Sequence, residues 1–182
     1  MFEIQHTFRG SLTYFLKFKG VNIGKSRVEE DKLSVVEEIY KQAEKRNVKI
    51  YLPVDHMCAE TFAEGTPALY VATEDIPESL MALDIGQKSR ELFTKIITGS
   101  QVVIWNGPMG VFEWDAFSLG TKAVAEALTK TKGISIVGGG DSAAAIHKFH
   151  LEDQVSHVST GGGASLELLE GKDLPGIRVL RK

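Results

Sequence analysis

Three glycine-rich runs hold the residues best suited to chemistry in this chain: Asn106-Gly107-Pro108-Met109-Gly110, Gly138-Gly139-Gly140-Asp141-Ser142 and Thr160-Gly161-Gly162-Gly163-Ala164-Ser165. Each follows a β-prone run, and the second and third open helical patterns. Loops at the carboxyl ends of strands are where open α/β sheets bind ligands. Glycine lets the backbone approach a ligand closely, and the free amides of a helix start attract anions. One such loop reads equally well as a tight turn. Two triple-glycine loops beside a third run of the same design point instead to a ligand that carries phosphate. Asp141 at a helix start reads as an N-cap, and equally as an anchor for Mg²⁺, which is held by one or two carboxylates plus phosphate oxygens. The two roles are compatible. Glu113, just after the first loop, is placed to accept hydrogen bonds from ribose hydroxyls, or stands as a solvated charge.

The elements that position these loops are read from periodicity. After an irregular opening, Val28 to Arg46 has apolar residues at steps of three and four, with acidic residues in the first turn and basic ones near the end, as the helix dipole favours. Val48 to Asp55 is a β-prone run stopped by a proline and an aspartate. Lys88–Ile97, Gly120–Lys130, Ser142–Phe149 and Ala164–Glu170 are expected helices. Gln101–Trp105, Ile134–Val137 and Val155–Ser159 are expected strands, the first nearly continuous in apolar residues, as strands covered on both faces are. This alternation predicts an α/β fold: a three-layer, Rossmann-like parallel sheet with helices on both faces.

At 182 residues and 19.9 kDa the chain is expected to form a single domain, with 43% apolar residues for its core. A net charge of −3, from 21 basic against 24 acidic residues, argues against a nucleic-acid binder, which needs a concentrated cationic face. No run approaches the roughly 20 apolar residues of a membrane span, and Met1 to Gly10 is not a secretion signal, so a cytoplasmic protein is expected. The single cysteine, Cys58, reads as a small buried hydrophobe. His56 and His157 read as hydrogen-bonded structural groups, and His147 and His150 as surface side chains. The residues from Gly138 to Ala143 fit the G-x-G-x-x-[GA] dinucleotide pattern, but the following strand ends in Ser159-Thr160-Gly161 without the acidic residue that a ribose contact needs. An NAD-binding oxidoreductase is therefore the weaker alternative. Gly20 to Ser26 imitates a phosphate loop with one residue too few between its glycines, and reads as a helix-to-helix connection.

Taken in order, the loops resemble the carboxyl-terminal, nucleotide-binding domain of phosphoglycerate kinases. The matching segments are Gly24-Lys25-Ser26 with Val28 to Leu33, Leu52 to Asp55, Leu83 to Gly86, Val103 to Glu113, Gly120 to Ala125, Val137 to Ala145 and Ser156 to Leu166. The resemblance implies reversible phosphoryl transfer between ATP and 3-phosphoglycerate, with ATP or ADP and Mg²⁺ as cofactors. It implies that Leu83 and Val111 line the adenine pocket, Glu113 holds the ribose and Asn106 lies near the phosphates. Gly138, Gly139 and Gly140 with Ser142 would cradle the phosphates, and Asp141 would reach Mg²⁺. Gly140, Gly162 and Gly163 would offer amides to the phosphoryl group in flight.

The departures are as specific. The family's amino-terminal, phosphoglycerate-binding domain has no counterpart here, nor has the first βα portion of its nucleotide domain with its phosphate-contacting lysine. Residues 1–12 do not resemble the family, and residues 13–182 read as a partial nucleotide-binding domain. Negligible turnover is expected of the chain alone, and 3-phosphoglycerate is expected to bind only when the missing domain is supplied. The family resemblance implies a monomer, while an exposed sheet edge would offer a route to self-association. A non-catalytic fragment that needs a complementary chain is the alternative reading.

Overall fold

A computed structural model of the chain describes residues 11–26, 28, 33–159, 161, 163, 167, 171–173 and 178. In chain order its elements are helices α1 (Ser11–Phe18) and α2 (Leu33–Lys45), strands β1 (His56–Ala59), β2 (Leu69–Val71) and β3 (Met81–Ile85), helix α3 (Gln87–Gly99), β4 (Val102–Asn106), α4 (Leu119–Lys130), β5 (Ile134–Gly138), α5 (Gly140–Lys148) and β6 (His157–Ser159).

The carboxyl-terminal half follows the expected pattern. Strands β4, β5 and β6 form a parallel sheet in sequence order, joined through α4 and α5. Its core is apolar and continuous. Phe93 and Ile97 of α3, Val124 and Leu128 of α4, and Ala145 and Ile146 of α5 pack with Val103 and Trp105 of β4 and Val137 of β5. Burying each of the larger side chains contributes about 1.5–3 kcal/mol.

The first half departs from expectation. Val48–Pro53 forms no strand; Tyr51 and Leu52 pack on the main core instead, and Pro53 has no N–H to offer a ladder. Pairing begins at His56, where β1 lies between β2 and β3 in an antiparallel sheet the sequence reading did not foresee. Strands of three to five residues give too few alternations to reveal a period. Helix α1, eight residues long, is likewise too short to reveal a period in sequence. Helix α2 is described from Leu33; Val28, the expected start, is not helical, and residues 29–32 lie outside the described residues. Gly20 to Ser26 does connect helices α1 and α2.

Asp55 joins the two halves. Its carboxylate accepts the Lys88 and Ser89 amides at 2.8 Å each and the Ser89 and Tyr70 hydroxyls at 2.5 and 2.9 Å. It thereby caps the first turn of α3 from a different segment. Burial pushes this carboxyl up, but the Ser89, Lys88 and Tyr70 hydrogen bonds outweigh it and hold Asp55 below its usual range. His56 is fully buried with Nε2 3.1 Å from the Glu74 carbonyl, a structural role as expected, whereas His157 is exposed on β6. Cys58 is fully buried, as expected, and lies within β1. His147 lies at the surface as expected, with Nδ1 3.0 Å from the Glu152 carboxylate.

Candidate functional site

Parallel register brings the three strand tips together. Asn106 at the tip of β4 is opposite Gly138 at the tip of β5, and Gly138 is opposite Ser159 at the tip of β6. The first two glycine runs begin at these tips and so leave one edge of the sheet at one level, beside the end of β6. Neighbouring strands lie about 4.8 Å apart, so three adjacent tips span a width comparable to a di- or triphosphate.

At the central tip, Gly139 has a φ of 94° and immediately precedes helix α5. That conformation suits glycine, and a Cβ there would overlap the Asn106 Oδ1 atom. Gly140 opens the helix; it is exposed, and a Cβ on it would meet only open space. Gly140 thus opens the helix at an exposed surface, and the start of a helix, with its dipole, favours an anion. Asp141 is not the N-cap: Gly139 occupies that position, and Asp141 stands exposed in the first turn. Gly163 is exposed and helical, while Gly162 and Thr160 lie outside the described residues, as does most of the expected Ala164–Glu170 helix.

The loop after β4 is held by side chains from both following helices. Ser142 is fully buried, and its hydroxyl accepts the Gly107 amide. This bond ties the first glycine loop to the start of α5, an arrangement the sequence did not reveal. Thr121, at the start of α4 and fully buried, accepts the Met109 and Gly110 amides at 3.0 and 3.2 Å. The loop then turns back to the antiparallel sheet, where the Val111 amide donates to the Leu83 carbonyl at 2.9 Å. Leu83 and Val111, with Ala59 and Phe117, form a separate apolar cluster on which Trp114 packs. Phe62, not singled out from the sequence, is 62% exposed and lies 4.8 Å from the Trp114 ring. Glu113 is exposed on the same loop, two residues from Val111. The loop after β4 thus joins a buried apolar cluster and an exposed carboxylate, and Ser142 ties it to the glycine-opened start of α5.

Beneath this loop lies a carboxylate the sequence reading did not assign. Asp84, next to Leu83 on β3, is fully buried and accepts the Gly120 amide at 2.7 Å and the Ile85 amide at 2.9 Å. Gly110 and Gly120 pack so closely on it that a Cβ at either would overlap the carboxylate. Burial pushes its pKa up to about 7, against the opposing pull of the Gly120 and Ile85 amides and the Arg90 charge. Its signal in sequence is weak, because a single aspartate in a short apolar strand has no spacing to reveal its partners.

With this geometry established, comparison with known proteins decides the family. The sequence model of phosphoglycerate kinase matches residues 9–172. The chain belongs to the phosphoglycerate kinase family. It is 48% identical over 174 residues to the phosphoglycerate kinase of Borrelia garinii, covering 95% of this chain and 44% of that protein. Against the phosphoglycerate kinase of Thermosipho africanus it is 54% identical over 167 residues, 90% of this chain and 42% of the relative. The solved phosphoglycerate kinase of Coxiella burnetii superposes with a TM-score of 0.87 at 42% identity, covering 94% of this chain and 44% of that one. The chain therefore spans less than half the length of the relatives it matches. The dinucleotide alternative gives way to this family, while the α/β class and the parallel sheet stand.

The residues present fit Mg²⁺ in one specific way. Among the described residues no group of three ligating side chains comes together. The exposed Asp141 carboxylate beside the helix start would contribute a single hard oxygen ligand, leaving phosphate oxygens and water to complete the octahedron, which is how Mg²⁺ is commonly held. Among the same residues no helix is long and apolar enough to cross a membrane.

Proposed function

We propose that these residues form the adenine-nucleotide site of a phosphoglycerate kinase. The observation that carries this reading is the register Asn106–Gly138–Ser159, which sets three strand tips side by side with the α5 start just after the central one. The diphosphate lies across the amides of Gly139 and Gly140, with Gly138 and Asn106 beneath it. Leu83 and Val111 offer the adenine its apolar wall, and Glu113 accepts from the ribose hydroxyls. Asp141 holds Mg²⁺, which, when bound, neutralises charge on the transferred group. Gly140, Gly162 and Gly163 direct amides at that group. Phosphoryl transfer is catalysed largely by positioning and charge neutralisation, the services that fixed amides provide.

The reaction in this reading moves a phosphoryl group between ATP and 3-phosphoglycerate, in the cytoplasm as a step of glycolysis. In this reading the groups that hold the acceptor belong to the remainder of the family protein, of which these 182 residues span less than half. Binding without turnover is therefore the expected behaviour of this chain by itself. Calorimetric titration with MgADP, followed by a coupled assay with 3-phosphoglycerate, tests both halves of the statement. Asp141→Ala is expected to weaken binding when magnesium is present and leave the fold intact. Equal affinity of variant and parent in magnesium removes Asp141 from the metal role, and no heat from the parent chain refutes the nucleotide site.

A further inference from the structure

The far end of α5 makes a contact that neither the family's glycine loops nor the sequence reading accounts for. Lys148, the last residue of the helix, reaches across to the loop that carries Val111 and Glu113. Its ammonium donates to the Phe112 carbonyl at 2.9 Å, the Glu113 carbonyl at 3.2 Å and the Asp115 carboxylate at 3.3 Å. An ammonium has three N–H donors, and all three acceptors here belong to one four-residue stretch. The Asp115 side chain is 98% exposed, so that ion pair adds little. The two carbonyl contacts are the informative ones, because they grip the backbone on either side of the Glu113 Cα, from which the carboxylate projects.

Ser142 binds the same loop from the other end of the helix by accepting the Gly107 amide. Helix α5 thus holds the loop twice, near its first and last residues, and about 9 Å of helix axis separates the two attachments. A rigid helix gripped at both ends fixes the spacing between the anion-facing amides at Gly139–Gly140 and the carboxylate of Glu113. We propose that Lys148 is a positioning residue that couples the phosphate-facing helix to the ribose-facing loop, setting Glu113 at the distance one nucleotide requires. This proposal rests on the nucleotide reading above and deepens it, since it names what aims Glu113.

The test combines a side-chain change with a ligand change. In the parent chain, MgADP is expected to bind about tenfold more tightly than its 2′,3′-dideoxy analogue, the worth of hydrogen bonds to a charged acceptor. Lys148→Met is expected to weaken MgADP by about tenfold while changing the dideoxy analogue by less than about twofold, so that the preference disappears. Lys148→Arg, which keeps charge and donors, restores it. A readout without nucleotide accompanies this. Trp105 is buried in the core, so acrylamide quenching reports on Trp114, next to Glu113. Quenching is expected to rise in the Met variant and return toward the parent value in the Arg variant.

Unchanged Trp114 quenching in Lys148→Met overturns the bracing of the loop. Increased quenching with the ribose preference intact overturns the positioning of Glu113. A parent chain that binds MgADP without preferring ribose hydroxyls overturns the ribose role of Glu113, and the coupling with it. Absence of MgADP binding in the parent refutes the nucleotide reading itself, and the Trp114 measurement then decides the bracing alone.

Discussion

Replacing Asp84 by asparagine isolates the charge of a buried carboxyl without emptying its site. In the folded chain burial raises this group to about 7 from an ordinary 3.8. The folded form therefore holds a proton that the unfolded form has already released between those values. Unfolding in that window releases the proton, so stability falls as pH rises: this contribution is complete below about pH 4 and is lost by about pH 7. Each unit is worth about 1.4 kcal/mol, so the span of roughly three units corresponds to about 4 kcal/mol, of which about 3 lies between pH 5 and 8. Asparagine does not titrate, and the amide acceptor it loses adds an offset of about 1 kcal/mol that is independent of pH. His56, which burial lowers, titrates in the opposite sense nearby, so the informative quantity is the difference between parent and variant. Urea unfolding midpoints for both, measured at unit steps from pH 5 to 8, supply it. The variant is expected to gain on the parent by about 3 kcal/mol across that range. Parallel profiles would refute the claim that Asp84 is a neutral acid clamped between β3 and α4.

Further outcomes follow from the same geometry. Gly139→Ala places a Cβ on a backbone at φ 94° and against Asn106; it is expected to destabilise the chain by about 1–3 kcal/mol in urea titrations and to lower MgADP affinity more than tenfold in calorimetry. Phe117→Ala removes a side chain that is 1% exposed in the Leu83–Val111 cluster, and denaturant unfolding should show a loss of about 3–5 kcal/mol. Burial pushes the Cys58 thiol up to about 12, so it is expected to resist Ellman's reagent at pH 8 in the native chain and react fully in urea. Rapid labelling of the native chain would show β1 to be open.

What was legible in the sequence was whatever repeated over a sufficient length. Helices α3, α4 and α5 and the strand tips at Asn106, Gly138 and Ser159 lie within a few residues of their expected places, because long apolar periods and glycine runs mark their own boundaries. The loops were legible as chemistry because glycine triplets at strand ends have few other uses. The β1–β2–β3 sheet was not legible. Its strands are short, and their pairing is set by contacts far apart in sequence, with a register shift at Met57/Cys58. The same holds for the supporting side chains. Ser142 meets Gly107 across 35 residues, Asp84 meets Gly120 across 36 and Lys148 meets Phe112 across 36. Each was an ordinary polar residue until the fold supplied its partner. Asp141 shows the reverse error, since its place near a helix start suggested a cap that backbone geometry gives to Gly139.

The nucleotide site is tested most directly by locating where an adenine nucleotide sits. A heteronuclear NMR titration with MgADP locates it without demanding turnover. The expected result is amide shifts concentrated at Gly139, Gly140 and Asp141, with proton contacts from the adenine ring to the methyl groups of Leu83 and Val111. Shifts confined instead to the groove that Phe18, Tyr40, Val48 and Ile50 line between α1 and α2, with the strand tips silent, would contradict it.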